Sequence, residues 1–93
     1  MSNEPAVRVR VVIHGRVQGV GFRYSCADMA DDSAVSGWVR NRPDGTVEAV
    51  FEGSRDAVAA AVAWCAHGPA YAAVSGVETS DEQVEGLSGF RIP

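Results

Sequence analysis

The sequence predicts one α+β domain with the element order β-α-β-β-α-β, in which an antiparallel sheet carries two helices on one face and a short fifth strand closes the chain. Stretches of alternating polarity indicate the strands, and two stretches with apolar residues three and four positions apart indicate the helices. A chain of 93 residues suits one compact core rather than two. We therefore predict a single domain over residues 1–93, with a flexible N-terminal segment over residues 1–6.

The N-terminal third predicts a strand, a loop and a helix in immediate succession. Valine or isoleucine occupies every second position from Val7 to Ile13, which is the pattern of a strand with one buried face. The next stretch, Gly15 to Gly21, contains three glycines and predicts a loop that can adopt positive φ angles. From Phe22 to about Asp32 the apolar residues share one helical face, so a helix should follow the loop directly.

The rest of the chain predicts a hairpin, a second helix and two further strands. Two runs rich in β-formers, residues 35–41 and 46–52, flank the turn sequence Arg42-Pro43-Asp44-Gly45. Ser54 is a suitable N-cap for a helix whose apolar face continues to Cys65. The C-terminal predictions are a fourth strand over residues 72–79, an exposed acidic stretch over residues 80–86, and a short final strand containing Phe90 and Ile92.

This element order has a consequence for the position of a functional site. In a split β-α-β sandwich, strands one and two run in the same direction with strand three between them. The loop after strand one and the end of strand two then lie at the same end of the sheet. We therefore expect the segment Gly15 to Arg23 to converge with Asn41.

Composition and charge narrow the class of protein. No apolar run approaches the roughly 20 residues that a membrane-spanning helix needs, and the N-terminus lacks the basic and apolar regions of a secretory signal. We therefore expect a cytoplasmic protein with no membrane partner. The net charge of -4 argues against a nucleic-acid partner, because such proteins bind largely by neutralising phosphates.

Cysteine and histidine usage argues against a metal or redox centre. Cys26 and Cys65 lack C-x-x-C spacing, so we expect two free thiols. No set of His, Cys and acidic residues has the spacing of metal ligands, so we expect no metal. We also expect no other cofactor. His14 belongs to the alternation of the first strand, so we assign it a structural role.

The glycine-rich loop and the helix after it predict an anion site. A loop that enters a helix N-terminus directs several backbone N–H groups at one point, and the helix dipole adds positive potential there. Arg23 lies at the start of this helix, where a cation is unfavourable unless an anion binds beside it. Taken alone, the pattern leaves alternatives open: Arg23 could pair with an acid such as Asp28, and Asn41 could cap the strand before the turn.

Two segments carry a resemblance to a known family. Gly15-Arg16-Val17-Gln18-Gly19-Val20-Gly21-Phe22-Arg23 and Gly37-Trp38-Val39-Arg40-Asn41 resemble the two signature segments of the acylphosphatase family. The resemblance continues through Asp44-Gly45 and Glu52-Gly53 and covers residues 7–79 well. It implies a ferredoxin-like sandwich, in agreement with the element order predicted from periodicity.

The resemblance also implies an activity and a site. The activity is the hydrolysis of small acyl phosphates. Because the site would bind a tetrahedral anion, we expect inorganic phosphate and sulfate to compete, and the absence of metal-ligand spacing predicts hydrolysis without a metal. A monomer is the default expectation. The implied catalytic residues are Arg23, which grips the phosphoryl oxygens, and Asn41, which orients the attacking water. The residues implied to form the phosphate cradle are Gly15, Arg16, Val17, Gln18, Gly19 and Val20.

The sequence departs from the family pattern in two places. Ser33-Ala34 stands where Leu-Gly commonly ends the first helix, and together with Asp31 and Asp32 it predicts a weakened last turn. Arg42 stands where some members have a small polar residue. The alternative function is a non-catalytic ferredoxin-like module that binds phosphate or another small ligand. RNA binding is disfavoured, because strand one offers no aromatic residue for base stacking.

Overall fold

A five-stranded sheet with two helices packed on one face forms the fold. The computed structural model describes residues 5–93, so most of the predicted flexible segment over residues 1–6 lies outside the described residues. The element order is the predicted one, with the short fifth strand present. The elements are β1 (Val7–Arg16), α1 (Phe22–Asp32), β2 (Ser36–Asn41), β3 (Val47–Gly53), α2 (Arg55–Cys65), β4 (Ala73–Glu82) and β5 (Phe90–Arg91).

The strand order in the sheet is β4-β1-β3-β2-β5. Strand β3 lies between β1 and β2 and is antiparallel to both, so β1 and β2 run in the same direction, as predicted. The four longer strands pair antiparallel as predicted, and the short β5 adds a parallel pairing with β2, which makes the sheet mixed. The cause is the connection after β4, which crosses one end of the sheet. A chain that re-enters the sheet from that end must run in the same direction as β2.

Several strand boundaries also differ from the predictions. Gly15 and Arg16 belong to β1, where they pair with β4 beyond a register shift between His14 and Gly15. Strand β4 continues to Glu82, so the predicted acidic stretch over residues 80–86 begins inside a strand. The charge at this position is accommodated because Glu82 pairs with Arg8. Ile92 lies beyond the end of β5 but still packs against the core.

The core lies between the helices and the sheet. Its largest buried side chains include Phe22 from α1, Phe51 from β3 and Ile13 from β1. The burial of one such side chain contributes roughly 1.5–3 kcal/mol. Cys26 and Cys65 are buried in the same core as free thiols, as predicted. A hydrogen bond with Cys65 and burial both raise the pKa of Cys26.

The two helices end in different ways. Ser54 caps α2 as predicted, because its Oγ accepts a hydrogen bond from the Ala57 N–H at 3.2 Å. The C-terminus of α1 closes with a pair of backbone bonds, from Val35 N to the Ala30 carbonyl at 3.0 Å and from Ala34 N to the Asp31 carbonyl at 3.3 Å. This Schellman arrangement needs a left-handed residue after the cap. Ala34 takes that role with φ 57°.

The sheet face opposite the helices carries ion pairs beside the buried side chains of Val12 and Val50. The buried Glu48 carboxylate accepts hydrogen bonds from Arg10 and Arg40. Arg8 and Glu52 form a second pair near the other end of the same strands. Of the helices in the described part of the chain, neither has the length and apolar character needed to cross a membrane.

Candidate active site

The loop between β1 and α1 is shaped by glycines at three positions. Gly15 has φ 119°, and a Cβ there would lie 2.2 Å from the Ala73 carbonyl oxygen, so β4 excludes any side chain. Gly19 and Gly21 have φ angles of 74° and 78° with open space around them. A Cβ would fit in the open space at both positions, but glycine is the residue that adopts these φ angles without strain. The loop enters α1 through this left-handed pair.

The N-terminus of α1 has no side-chain cap. Gly21 is the N-cap residue, and the first turn contains no acidic residue. The first N–H groups of a helix have no partner within the helix, and the macrodipole makes this end positive. The uncapped N–H groups at this helix start are suited to an anion. The cradle over residues 15–20 stays a prediction.

Arg23 lies in this first turn, and none of the ion pairs among residues 5–93 includes it. No carboxylate within residues 5–93 comes within 4.0 Å of its guanidinium, so the alternative pairing with Asp28 does not occur. Its guanidinium carbon lies 5.9 Å from the centroid of the Tyr24 ring. Arg23 is therefore free to bind an anion at the uncapped helix end.

Asn41 is the last residue of β2 and pairs with Val47 of β3. It lies on the same strand face as Val39, which is fully buried in the core below the helices. The Asn41 Oδ1 is buried and has no hydrogen-bond partner in the described part of the chain. A buried acceptor without a partner is costly, so this atom is suited to a donor supplied by water or ligand.

The Gln18 side chain connects the loop to the turn that follows Asn41. Its Nε2 donates to the Arg42 carbonyl oxygen at 2.7 Å and to the Thr46 carbonyl oxygen at 2.9 Å. The sequence predicted only a backbone role for Gln18. No sequence signal points to this contact, because both acceptors are main-chain atoms that could belong to any residue. The contact holds the loop and the end of β2 in one arrangement.

The turn itself is held by Asp44. Its Oδ1 accepts from the Thr46 N–H at 3.0 Å and from the Thr46 hydroxyl at 2.6 Å. These bonds from Thr46 favour the ionised carboxylate and lower the pKa of Asp44. Arg42, one of the departures from the family pattern, lies 3.6 Å from the Asp44 carboxylate. The turn is therefore ordered independently of any bound ligand.

Other predicted residues take the expected places. Val17 is buried in the core and anchors the loop, while Arg16 is exposed. His14 pairs with Glu78 on the sheet face opposite the helices. Within residues 5–93, no group of three or more His, Cys, Asp or Glu side chains has an arrangement that could hold a metal ion.

The fold is that of a ferredoxin-like α+β domain, in which a glycine-containing loop leads to an uncapped N-terminus of the first helix. The family model for acylphosphatases matches residues 9–92. The chain therefore belongs to the acylphosphatase family.

Individual relatives agree with this assignment. The chain is 56% identical over 86 residues to an acylphosphatase of Trichormus variabilis, a match that covers 92% of this chain and 85% of the relative. It is 52% identical over 86 residues to an acylphosphatase of Thermococcus kodakarensis, covering 92% and 94%. Among solved structures, an acylphosphatase from Coxiella burnetii superimposes with a TM-score of 0.91 at 39% identity, covering 95% of this chain and 93% of that one.

Proposed function

We propose that this protein hydrolyses the carboxyl–phosphate bond of small acyl phosphates and releases a carboxylate and inorganic phosphate by the mechanism below. Acylphosphatase activity itself follows from family membership and from relatives more than half identical to the chain. We also propose which groups bind the phosphoryl group and which group directs the water.

In the proposed substrate complex, the backbone N–H groups of residues 16–20 and the Arg23 guanidinium bind the phosphoryl oxygens. Charge on these oxygens changes as the reaction proceeds, and donors fixed in advance stabilise it without reorganisation. The guanidinium is suited to this role because its planar fork can make two parallel hydrogen bonds. The absence of a carboxylate partner for Arg23 among residues 5–93 supports this assignment.

Asn41 is proposed to accept a hydrogen bond from the attacking water through Oδ1. The water oxygen then forms a bond to phosphorus as the bond from phosphorus to the carboxylate oxygen breaks, and one water proton passes to an oxygen of the released phosphate. The leaving carboxylate departs without a general acid, because its conjugate acid has a pKa of about 4. The single observation that carries the proposal is the buried Asn41 Oδ1, which lacks a partner among the described residues. Positioning and charge stabilisation then account for catalysis.

Substitutions at the two residues should have different effects. For Arg23→Ala we expect weaker phosphate binding and loss of nearly all turnover, with poor rescue by Arg23→Lys, since an ammonium lacks the planar fork. For Asn41→Ala we expect nearly unchanged phosphate affinity and a kcat lower by on the order of 10² to 10³, the scale for loss of one oriented catalytic hydrogen bond.

Steady-state kinetics with acetyl phosphate and calorimetric titration with inorganic phosphate measure the two effects. Arg55→Ala, which removes an exposed arginine at the start of α2, is the matched control. Circular dichroism confirms that each variant is folded. A folded Asn41→Ala variant with full turnover would contradict the mechanism. Phosphate binding by the unaltered protein without release of phosphate from acyl phosphates would instead support a non-catalytic binding module.

A further inference from the structure

A pocket lined by Trp38, Arg40, Arg91 and Pro93 lies on the sheet face opposite the helices. We propose that this pocket binds a nucleoside phosphate, with the base stacked on Trp38 and the phosphate bound by the guanidinium groups of Arg40 and Arg91. The pocket uses none of the residues assigned to acyl phosphate hydrolysis, so it is a second site with its own ligand.

The register of the sheet places the lining residues side by side. Trp38 of β2 pairs with Val50 of β3 on one side and with Arg91 of β5 on the other. Paired residues share a face of the sheet, and residues two positions apart on a strand also do, which adds Arg40. Val39, between Trp38 and Arg40, is buried in the core on the other face. The pocket has a volume of about 500 Å³, which is in the range of small-molecule sites.

Positive charge gathers at this edge of the open face. Arg10 and Arg40 both donate to the carboxylate of Glu48, so one buried anion lies between two guanidinium groups. Arg40 makes its bond through Nε, and its side chain is 56% exposed. None of the ion pairs among residues 5–93 includes Arg91, which is exposed. Both Arg40 and Arg91 can therefore donate to an added anion.

The other edge of the same face is acidic. Strands β4 and β5 form the two edges of the sheet. Glu78 and Glu82 of β4 lie in register with Val12 and Arg8, which places both glutamates on the open face. The whole chain carries a net charge of -4, so the positive edge is a local feature. An anionic ligand is therefore attracted to the β2–β5 edge rather than to the open face as a whole.

Trp38 provides a stacking surface beside these charges. The Arg40 guanidinium carbon lies 5.6 Å from the centroid of the Trp38 ring, which is within cation–π distance. Trp38 is half-buried and lines the pocket, so part of its ring is open to a ligand. Aromatic side chains stack on nucleobases of any kind, and guanidinium groups bind phosphate oxygens through paired hydrogen bonds. A ring beside two guanidinium groups therefore fits a ligand that joins a flat base to a phosphate.

The pocket fits one nucleotide rather than a strand of nucleic acid. Single strands bind through successive aromatic residues along a positive groove. The other aromatic residues in the strands of the described chain, Phe51 and Phe90, pack in the core. Trp38 therefore offers a surface for a single base. The glutamates of β4 would repel the phosphates of a strand that continued across the face.

Fluorescence of Trp38 provides a direct test in a Trp64→Phe variant, because these are the two tryptophans of the chain. We expect adenosine 5′-monophosphate (AMP) to quench this fluorescence to saturation, whereas ribose 5-phosphate, which lacks the base, should change it little. Arg91→Ala should raise the dissociation constant of AMP about tenfold, the scale for one hydrogen-bonded charged contact. Arg55→Ala, at another exposed arginine, is the matched control and should leave the constant unchanged. Calorimetric titration of the unaltered protein with AMP measures the same constant without a substitution at Trp64.

A phosphate group could also bind at the predicted cradle, so the titration is repeated in Arg23→Ala. AMP binding that persists in Arg23→Ala and weakens in Arg91→Ala would support the second site. Loss of binding in Arg23→Ala, equal effects of Arg91→Ala and Arg55→Ala, or no heat of binding with millimolar AMP would overturn it. A single-stranded oligonucleotide bound far more tightly than AMP would overturn the assignment to a free nucleotide. Turnover of acetyl phosphate should be unchanged in Arg91→Ala, so failure of the second site leaves the proposed function standing.

Discussion

The guanidinium of Arg8 donates to the carboxylate of Glu52 at 2.8 Å, and both charged side chains are almost fully buried. The Glu52 carboxylate also accepts three consecutive backbone N–H groups, those of Glu85, Gly86 and Leu87, at 3.0 to 3.1 Å. These three residues belong to the connection that crosses the end of the sheet between β4 and β5. One buried ion pair therefore joins the two central strands to the crossing connection.

Removal of the Glu52 charge should destabilise the fold. In Glu52→Gln, the buried Arg8 loses its closest buried partner, and an amide cannot accept all the bonds now made. We expect the free energy of unfolding to fall by about 2–3 kcal/mol, near the lower end for breaking a buried pair, because Glu82 still contacts Arg8. Urea titration measures the change. Glu85→Gln, at a largely exposed pairing partner, should cost less than about 1 kcal/mol. Equal losses in both variants would contradict the central role of Glu52.

Stability should fall at acidic pH because of two buried carboxylates. Burial raises the pKa of Glu52, but the N–H groups of the crossing connection and Arg8 outweigh it and lower the pKa. Burial also raises the pKa of Glu48, but the hydrogen bonds from Arg40 and Arg10 outweigh this effect and lower the pKa. Both groups hold protons less tightly in the folded protein than in the unfolded chain, where their pKa is 4.5.

The stabilising contribution of Glu48 and Glu52 to the folded state is therefore present above pH 4.5. It is lost as the pH falls through the lower pKa values that these carboxylates have in the folded protein. Urea titrations between pH 7 and pH 2 should show a decline that begins near the pKa of the unfolded chain. The decline should be shallower in Glu52→Gln, which lacks the Glu52 contribution and retains those of Glu48 and Asp44. Identical pH profiles for the two proteins would show that Glu52 is not a source of the acid sensitivity.

Ala34→Gly should stabilise the protein. Ala34 has φ 57°, a left-handed conformation that costs a residue with a Cβ about 1–2 kcal/mol, while glycine adopts it freely. The larger entropy of glycine in the unfolded chain offsets part of this gain. We expect a net increase of about 0.5–1 kcal/mol in the free energy of unfolding, measured by thermal and urea unfolding. Ala66→Gly is the matched control, because Ala66 ends α2 with an ordinary φ of -67°. A stabilising effect of Ala66→Gly equal to that of Ala34→Gly would contradict the explanation.

Gln18→Glu should disturb the site through geometry. The glutamate has the same shape, but it cannot donate to the Arg42 and Thr46 carbonyl oxygens and would repel them when ionised. We expect a loss of about 1–3 kcal/mol in stability and a fall of roughly tenfold in kcat, because the loop and Asn41 lose their common anchor. Gln83→Glu introduces the same change at an exposed position and is the control. An active, fully stable Gln18→Glu variant would show that the contact is dispensable.

Inorganic phosphate should stabilise the folded protein by binding at the cradle. A ligand bound only by the folded state adds about 2.7 kcal/mol at a hundredfold excess over its dissociation constant. Melting temperatures should therefore rise with phosphate and with sulfate, but not with chloride at equal ionic strength. The shift should be largely lost in Arg23→Ala. No shift at saturating phosphate in the unaltered protein would count against the cradle.

Local sequence patterns were sufficient to predict most of the architecture. The alternation from Val7 to Ile13, the glycine loop and the Ser54 cap all depend on neighbouring residues, and these predictions were confirmed. The direction of β5 could not be predicted, because it depends on where the chain crosses the sheet rather than on any residue within the strand.

Long-range contacts account for most of what the sequence could not reveal at the site. Gln18 contacts main-chain oxygens 24 and 28 residues away, and a pattern of side chains carries no information about such partners.

Because the thiols of Cys26 and Cys65 are buried, their reaction with a thiol reagent reports on unfolding of the native protein. Thiol reagents attack the thiolate, and both the burial of Cys26 and its hydrogen bond with Cys65 keep it protonated. Covalent labelling should therefore proceed only through molecules in which α1 and α2 have separated from the sheet. The labelling rate under native conditions then measures how often the core opens, without denaturant and without an introduced probe.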